Sequence, residues 1–198
     1  MDRVLKGRGA TRNPAVRFER LRHEAVDDGW GGLEALAEEP GPRTEALIDR
    51  SRTIIARNSS PDIPFDRSIN PYRGCEHGCV YCYARPSHAY LGLSPGLDFE
   101  TRILVKPDAA RLLRAELARP GYACASMALG SNTDPYQPLE RRLRVTRAIL
   151  ELLAETRHPV GIVTKSALVC RDLDLLAPMA RLGLVQVHLS ITSLDREL

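Results

Sequence analysis

Hydrophobic and polar positions keep no sustained period before about residue 60 and fall into a repeating order after it. Residues 68–70 predict a short strand. Residues 107–118 place Leu112, Leu113 and Leu117 on one side, with Pro107 suited to a first turn, and predict a helix. Residues 123–129 form a nearly continuous apolar run, the pattern of a strand buried on both faces. Residues 139–156 set Leu139, Leu143, Ile149, Leu150 and Leu153 opposite Arg141, Arg144 and Arg147, which predicts one amphipathic helix. A strand over 160–164, a helix over 171–182 and a strand over 184–191 follow. Gly183 stops that helix, and Pro178 predicts a kink or an earlier end. Strands alternating with helices at this spacing predict parallel βαβ units and an α/β fold.

The first 60 residues read differently, as an N-terminal extension, with residues 61–198 as the regular domain. Seven basic and two acidic side chains fall among the first 22 residues, with Gly7, Gly9 and Pro14 between them. A solvated, partly disordered arm is the expectation, in preference to a nucleic-acid contact. Residues 24–39 turn acidic and end in Glu39-Pro40-Gly41-Pro42, a break. Trp30, the only tryptophan, reads as a cap on a core edge. Residues 45–57 carry Leu47, Ile48, Ile54 and Ile55 among charges and fit helix or strand equally.

Composition narrows the class. Hydrophobic content of 43% and charged content of 27% are those of an ordinary globular protein. A net charge of +3 supports no electrostatic argument for nucleic acid. No apolar run reaches the roughly 18 residues of a membrane span, and the first residues lack the apolar stretch of a secretion signal. A cytoplasmic location is expected.

Five cysteines without an export signal do not suggest a disulfide framework. Three of them, Cys75, Cys79 and Cys82, fall within eight residues, a spacing that reads as metal-binding. Full protein ligation of a [4Fe–4S] cluster takes four cysteines, so three would leave one iron open to a further ligand. The alternative is a closed zinc site completed by His77, His88 or Cys124.

Cys75-x3-Cys79-x2-Cys82, with Tyr81 inside it, resembles the signature of the radical S-adenosylmethionine (SAM) superfamily. The wider stretch over 68–86 resembles the branch related to spore photoproduct lyase, often described as DNA repair photolyase-like, and the similarity runs from about Gly7 onward. The resemblance implies a [4Fe–4S] cluster on Cys75, Cys79 and Cys82. It implies SAM bound at the open iron, and reductive cleavage to a 5′-deoxyadenosyl radical that abstracts hydrogen from a substrate. An electron donor such as flavodoxin or ferredoxin is implied as partner.

In parallel α/β folds the working groups lie at the C-terminal ends of strands. After residue 129 come Gly130, Ser131, Asn132, Thr133 and Asp134. Glycine lets a backbone approach a ligand, and Thr133 and Asp134 offer acceptors to a methionyl ammonium. A plain turn with Asp134 as N-cap is the simpler reading. Lys165 ends the next strand, suited to a carboxylate or to the surface, and Ser190, Thr192 and Ser193 end the last, within reach of a ribose. The resemblance assigns SAM contacts to Thr133, Asp134, Lys165 and Tyr83. The lyase's hydrogen-donor cysteine is Ser131 in this chain. Cys124 lies at the other end of the same predicted strand, on the order of 20 Å away, and reads as a buried core residue. Lyase-type thymine-dimer reversal is therefore not expected. Cys170, at the start of a predicted helix, reads as inert, and His88, His158 and His188 have no pattern that assigns a role.

Four strands precede Leu198, and the resemblance implies more. The expected fold is a partial (βα) barrel of the radical SAM type, truncated after about four strands. The expected function is that of a radical SAM enzyme, with nucleic acid a candidate substrate. The alternatives are a non-catalytic zinc or nucleic-acid-binding module, and an inactive truncated remnant.

Overall fold

A computed structural model of the chain describes residues 8–18 and 43–194. In order come β1 (Glu45–Ile48), β2 (Ile55–Arg57), β3 (Arg67–Ile69), β4 (Tyr72–Arg73), α1 (Leu97–Thr101), β5 (Arg102–Val105) and α2 (Ala109–Leu117). There follow β6 (Met127–Leu129), α3 (Glu140–Leu143), α4 (Val145–Glu155), β7 (Val160–Thr164), α5 (Leu173–Arg181) and β8 (Val185–Leu189). Short 3-10 turns occupy Arg85–Leu91 and Ala167–Asp172. Two compact units divide the chain: Met1–Leu47 with Gly74–Ile103, and Ile48–Arg73 with Leu104–Leu198.

The second unit carries a five-stranded sheet in the order β2-β3-β6-β7-β8. Strand β2 runs antiparallel to β3, and β3, β6, β7 and β8 run parallel. Ile69, Met127, Leu129 and Ile162 are buried on this sheet, and Leu113 of α2 and Ile149, Leu150 and Leu153 of α4 are buried beside them. Helices α2 and α4 pack on one another, which is where their leucine faces go. Among the described residues the sheet is open and no barrel closes, and the architecture is a mixed α/β fold. No helix among the described residues is long and apolar enough to cross a membrane.

The first unit is assembled from β1, the start of β5, α1, the turn at Arg85–Leu91 and residues 8–18. The arm expected to be solvated is, over 8–18, hydrogen-bonded to α1 and its approach. Trp30 and the acidic stretch over 24–39 lie outside the described residues. Residues 45–57 resolve into two short strands.

Several other expectations are corrected. The amphipathic stretch 139–156 is two helices, because Arg144 takes a left-handed conformation with φ 54°. The apolar run 123–129 becomes strand only from Met127, and Cys124, expected in the core, is exposed. Helix α5 begins at Leu173 and contains Pro178, after a turn capped by the Ser166 hydroxyl accepting from the Leu168 N–H at 3.2 Å. Cys170 is exposed on that turn.

Two histidines without an expected role prove structural. His88 is fully buried, its Nε2 3.0 Å from the Arg102 carbonyl, and its ring meets Phe99 edge-on. His158 is buried with Nε2 2.7 Å from the Tyr122 hydroxyl and Nδ1 3.0 Å from the Pro159 carbonyl. Burial pushes both imidazoles below the usual histidine value. A depressed histidine leaves stability intact above the unfolded value of about 6.5, and stability falls as pH drops below it, where only the unfolded chain takes the proton. The expected slope is at most about 1.4 kcal/mol per pH unit for each histidine. Urea unfolding at pH 7.5 and 5.5 checks it. A His158→Gln variant losing stability on acidification as steeply as wild type would remove His158 from the account.

Candidate functional site

The cysteine loop leaves β4 through Gly74, whose φ is +87°. A Cβ there would lie 2.8 Å from the Phe99 carbonyl oxygen and 2.9 Å from the His88 ring, so only glycine fits. The Cys75 N–H then donates to the Phe99 carbonyl at 2.8 Å, and Cys75 is buried in a small cluster with Phe99, Ala84 and Cys82. Chained turns carry the loop on. The Gly78 N–H reaches the Cys75 carbonyl, the Cys82 N–H reaches that of Cys79 at 3.2 Å, and the Arg85 N–H reaches that of Cys82. The side chain of Arg85 adds a further bond, its Nε donating to the Cys79 carbonyl at 3.0 Å. Tyr81 and Tyr83, on this loop, are exposed at 61% and 76%.

None of the five cysteines is in a disulfide. Among the described residues no group of three or more His, Cys, Asp or Glu side chains is by itself arranged to hold a metal ion. The donor set nonetheless fits a [4Fe–4S] group that brings its own irons and sulfides: three soft thiols on one short, hydrogen-bonded loop, two of them packed in one cluster.

In the second unit the parallel strands deliver their C-terminal ends to one edge of the sheet. Register puts Ile69 beside Leu129, Leu129 beside Ile162, and Thr164 beside Leu189. The residues that follow are therefore Asn70, Gly130–Asp134, Lys165 and Ser190. Gly130 has φ +85°, and its N–H donates to the Ile69 carbonyl at 3.2 Å.

Asn70 shapes the loop beyond it. Its Oδ1 accepts from the N–H groups of Asn132 at 2.9 Å and Thr133 at 3.3 Å, and its amide donates to the Ser131 hydroxyl at 3.2 Å. Thr133 turns inward, 2% exposed, with its hydroxyl donating to the Tyr72 carbonyl at 2.8 Å. Asp134 ties the strand ends together: Oδ1 accepts from the Thr164 hydroxyl at 2.7 Å and the Tyr136 N–H at 2.8 Å, and Oδ2 from the Lys165 N–H at 2.7 Å. Lys165 Nζ donates to the Ser190 hydroxyl at 2.9 Å. The structure thus brings Thr133, Asp134, Lys165 and Ser190 to one sheet edge, and it adds Asn70, which sequence reasoning missed. An asparagine directly between a strand and a proline was the signal for it.

The comparisons with known proteins follow the same lines. The chain is 46% identical over 136 residues to an uncharacterized protein of Mycobacterium tuberculosis and to one of Mycobacterium bovis; the match covers 69% of this chain and 40% of each of those proteins. It is 29% identical over 130 residues to an uncharacterized protein of Methanocaldococcus jannaschii, covering 66% of this chain and 46% of that protein. The chain thus spans less than half the length of the curated relatives it matches. No solved structure matches it. The sequence profile of the radical SAM superfamily, however, matches residues 69–198, from the end of β3 through the cysteine loop and all four strand ends, and by that match the chain belongs to the radical SAM superfamily.

Proposed function

We propose that this chain is the cluster- and SAM-binding part of a radical SAM enzyme, with Cys75, Cys79 and Cys82 as the ligands of a [4Fe–4S] cluster. The observation that carries the reading is the three-thiol loop inside the stretch matched to the superfamily. When bound, the reduced cluster with SAM supplies methionine and a 5′-deoxyadenosyl radical that takes hydrogen from a substrate.

The chain's own residues bind and orient. Three thiolates leave one coordination position for the methionyl group of SAM. The Asp134 carboxylate, held by a hydroxyl and two backbone N–H groups, is a fixed negative charge suited to the methionyl ammonium. The Lys165 ammonium, steadied by Ser190, is suited to the carboxylate. Gly130 lets the backbone come close, and Thr133 braces that loop against the Tyr72 carbonyl. Tyr81 and Tyr83 offer exposed rings beside the cysteines. The electron comes from a flavodoxin- or ferredoxin-class donor in the cytoplasm.

The resemblance of residues 68–86 supports a place beside the spore photoproduct lyase branch, with the substrate unidentified and nucleic acid one candidate for it. Ser131 stands where the lyase carries its hydrogen-donor cysteine. Cys124 precedes β6 and is exposed, away from the strand's C-terminal end. Both support an outcome other than dimer reversal.

Anaerobic reconstitution with iron and sulfide, then EPR of the reduced protein with and without SAM, tests the reading. The expected result is a [4Fe–4S]⁺ signal that shifts when SAM is added and disappears in Cys79→Ala. One equivalent of zinc with no visible absorption, or an undiminished cluster in Cys79→Ala, would overturn the cluster assignment. A signal indifferent to SAM would overturn the assignments at Asp134 and Lys165.

A further inference from the structure

The first unit contains a carboxylate that the cofactor reading does not use. Glu100, in α1, is fully buried. Its Oε2 accepts from the Gly9 N–H at 2.9 Å, and its Oε1 from the Ala10 N–H at 2.7 Å. The same Oε1 takes the Arg85 Nη2 at 2.5 Å. That guanidinium is only 11% exposed and spends its remaining donors nearby, Nε on the Cys79 carbonyl at 3.0 Å and Nη1 on the carbonyls of Pro95 and Gly96 at 3.2 Å. A buried charge pair holds only while its other hydrogen bonds are made. Two of the bonds to Glu100 come from the N-terminal segment.

That segment is sewn down along its length. The Leu97 N–H donates to the Arg12 carbonyl at 3.3 Å, Asn13 exchanges hydrogen bonds with Asp98 at 2.8 and 2.9 Å, and the Ser94 hydroxyl donates to the Pro14 carbonyl at 2.8 Å. It meets the cysteine loop at Gly78, backbone against backbone. A Cβ on Gly9 would stand 1.7 Å from the carbonyl oxygen of Gly78, the residue before Cys79. Gly78 has φ +63°, and a Cβ there would stand 2.8 Å from Glu100 Oε2. Two glycines, far apart in sequence, let the two backbones meet.

We propose that residues 9–14 are a strap belonging to the cysteine site, and that Glu100 and Arg85 are positioning residues coupling it to the Cys79 carbonyl. This rests on the reading of Cys75, Cys79 and Cys82 as cluster ligands. With the strap docked, the turn from Gly78 to Cys82 is held from both sides. With it displaced, Glu100 loses two charge-assisted bonds and the Gly78 backbone loses the segment packed against it, so the carboxylate that orients Arg85, and through it the Cys79 carbonyl, is held from one side only.

The test uses the full chain and two readouts. The first is iodoacetamide alkylation of the cluster-free protein, with Cys79 followed by mass spectrometry against the exposed Cys124 and Cys170 as internal references. The second is the rate at which a ferrous chelator strips iron from the reconstituted protein. Gly9→Ala is expected to raise the alkylation rate of Cys79 and the rate of iron loss by at least about tenfold, the equivalent of one of the two charge-assisted bonds from the strap, and to leave alkylation of Cys124 and Cys170 unchanged. Arg85→Lys keeps the charge and removes the bond to the Cys79 carbonyl, and is expected to do the same. It serves where Gly9→Ala proves unfolded by circular dichroism.

Rates equal to wild type in a folded Gly9→Ala or Arg85→Lys variant overturn the strap. A uniform rise at all three cysteines also overturns it, because that marks general unfolding. If wild type binds no cluster, the cluster reading fails, and the alkylation rates alone decide the strap.

Discussion

Replacing Glu140 with alanine is expected to cost the second unit about 3–5 kcal/mol, the range for breaking a buried ion pair from one side. Glu140 is fully buried and receives four donors. The Tyr72 hydroxyl makes a short hydrogen bond to it, the N–H groups of Thr146 and Arg147 approach at 3.0 and 3.3 Å, and Arg171 Nη2 at 2.8 Å. The carboxylate therefore caps α4 through space and neutralises Arg171. Arg171 in turn shares the buried Asp172 with Arg147 and the Tyr136 hydroxyl. Burial alone would raise the Asp172 carboxyl, but the two guanidinium groups hold it below the ordinary value. Alanine leaves a buried phenol and two N–H groups without their acceptor and Arg171 with Asp172 as its remaining carboxylate. Thermal unfolding followed by circular dichroism should show a midpoint lowered on the order of 10 °C. A loss under about 1 kcal/mol would mean that water replaces the carboxylate and that the network is not closed.

Gly130→Ala is the second large effect. At φ +85° an L side chain costs about 1–2 kcal/mol. The added methyl would also lie 2.4 Å from Pro135 Cδ and 2.6 Å from the Val163 carbonyl oxygen, with β7 unable to yield cheaply. The expected destabilisation is about 2–4 kcal/mol in urea unfolding. The functional readout is more discriminating. The loop from Ser131 to Asp134 would be pushed from the position that Asn70 gives it, so the response of the EPR signal to SAM should weaken. Iron content should stay at wild-type level, since the cysteine loop belongs to the other unit. A variant as stable as wild type would show that Gly130 is a convenience of the turn rather than a requirement. Equal loss of iron and of SAM response would show that the effect is not confined to the strand end.

What the sequence disclosed was what short-range pattern can carry. The strand at Val160–Thr164 and the helix at Ala109–Leu117 are visible because apolar period and turn residues agree there. Cys75, Cys79 and Cys82 are visible because their spacing is itself the signal. The break at Arg144 is not, since no glycine or proline marks it and the leucines keep their period across it; a buried carboxylate four residues earlier imposes it. Strands β1 and β2 are too short to show alternation, and β2 is fixed by pairing with β3. Residues 123–126 look like strand, but only the three residues after them enter the sheet. Asn70, Arg85 and Glu100 stayed without roles because each acts on partners distant in the chain or on backbone, and no local pattern announces that.

Strands β4 and β5 pair antiparallel, Tyr72 with Val105 and Arg73 with Leu104, and everything from Gly74 to Thr101 lies between them. In topological terms the cysteine-bearing stretch is the loop of a hairpin, entered and left at neighbouring rungs. Lengthening such a loop is cheap, about 0.6 kcal/mol for each doubling. The pairing of β4 with β5 is thus little affected, in chain entropy, by the length of the loop it closes. An insertion at an exposed point of 74–101, such as beside Tyr90 and away from Gly74, Arg85 and Glu100, is therefore expected to leave the rungs Tyr72–Val105 and Arg73–Leu104 intact.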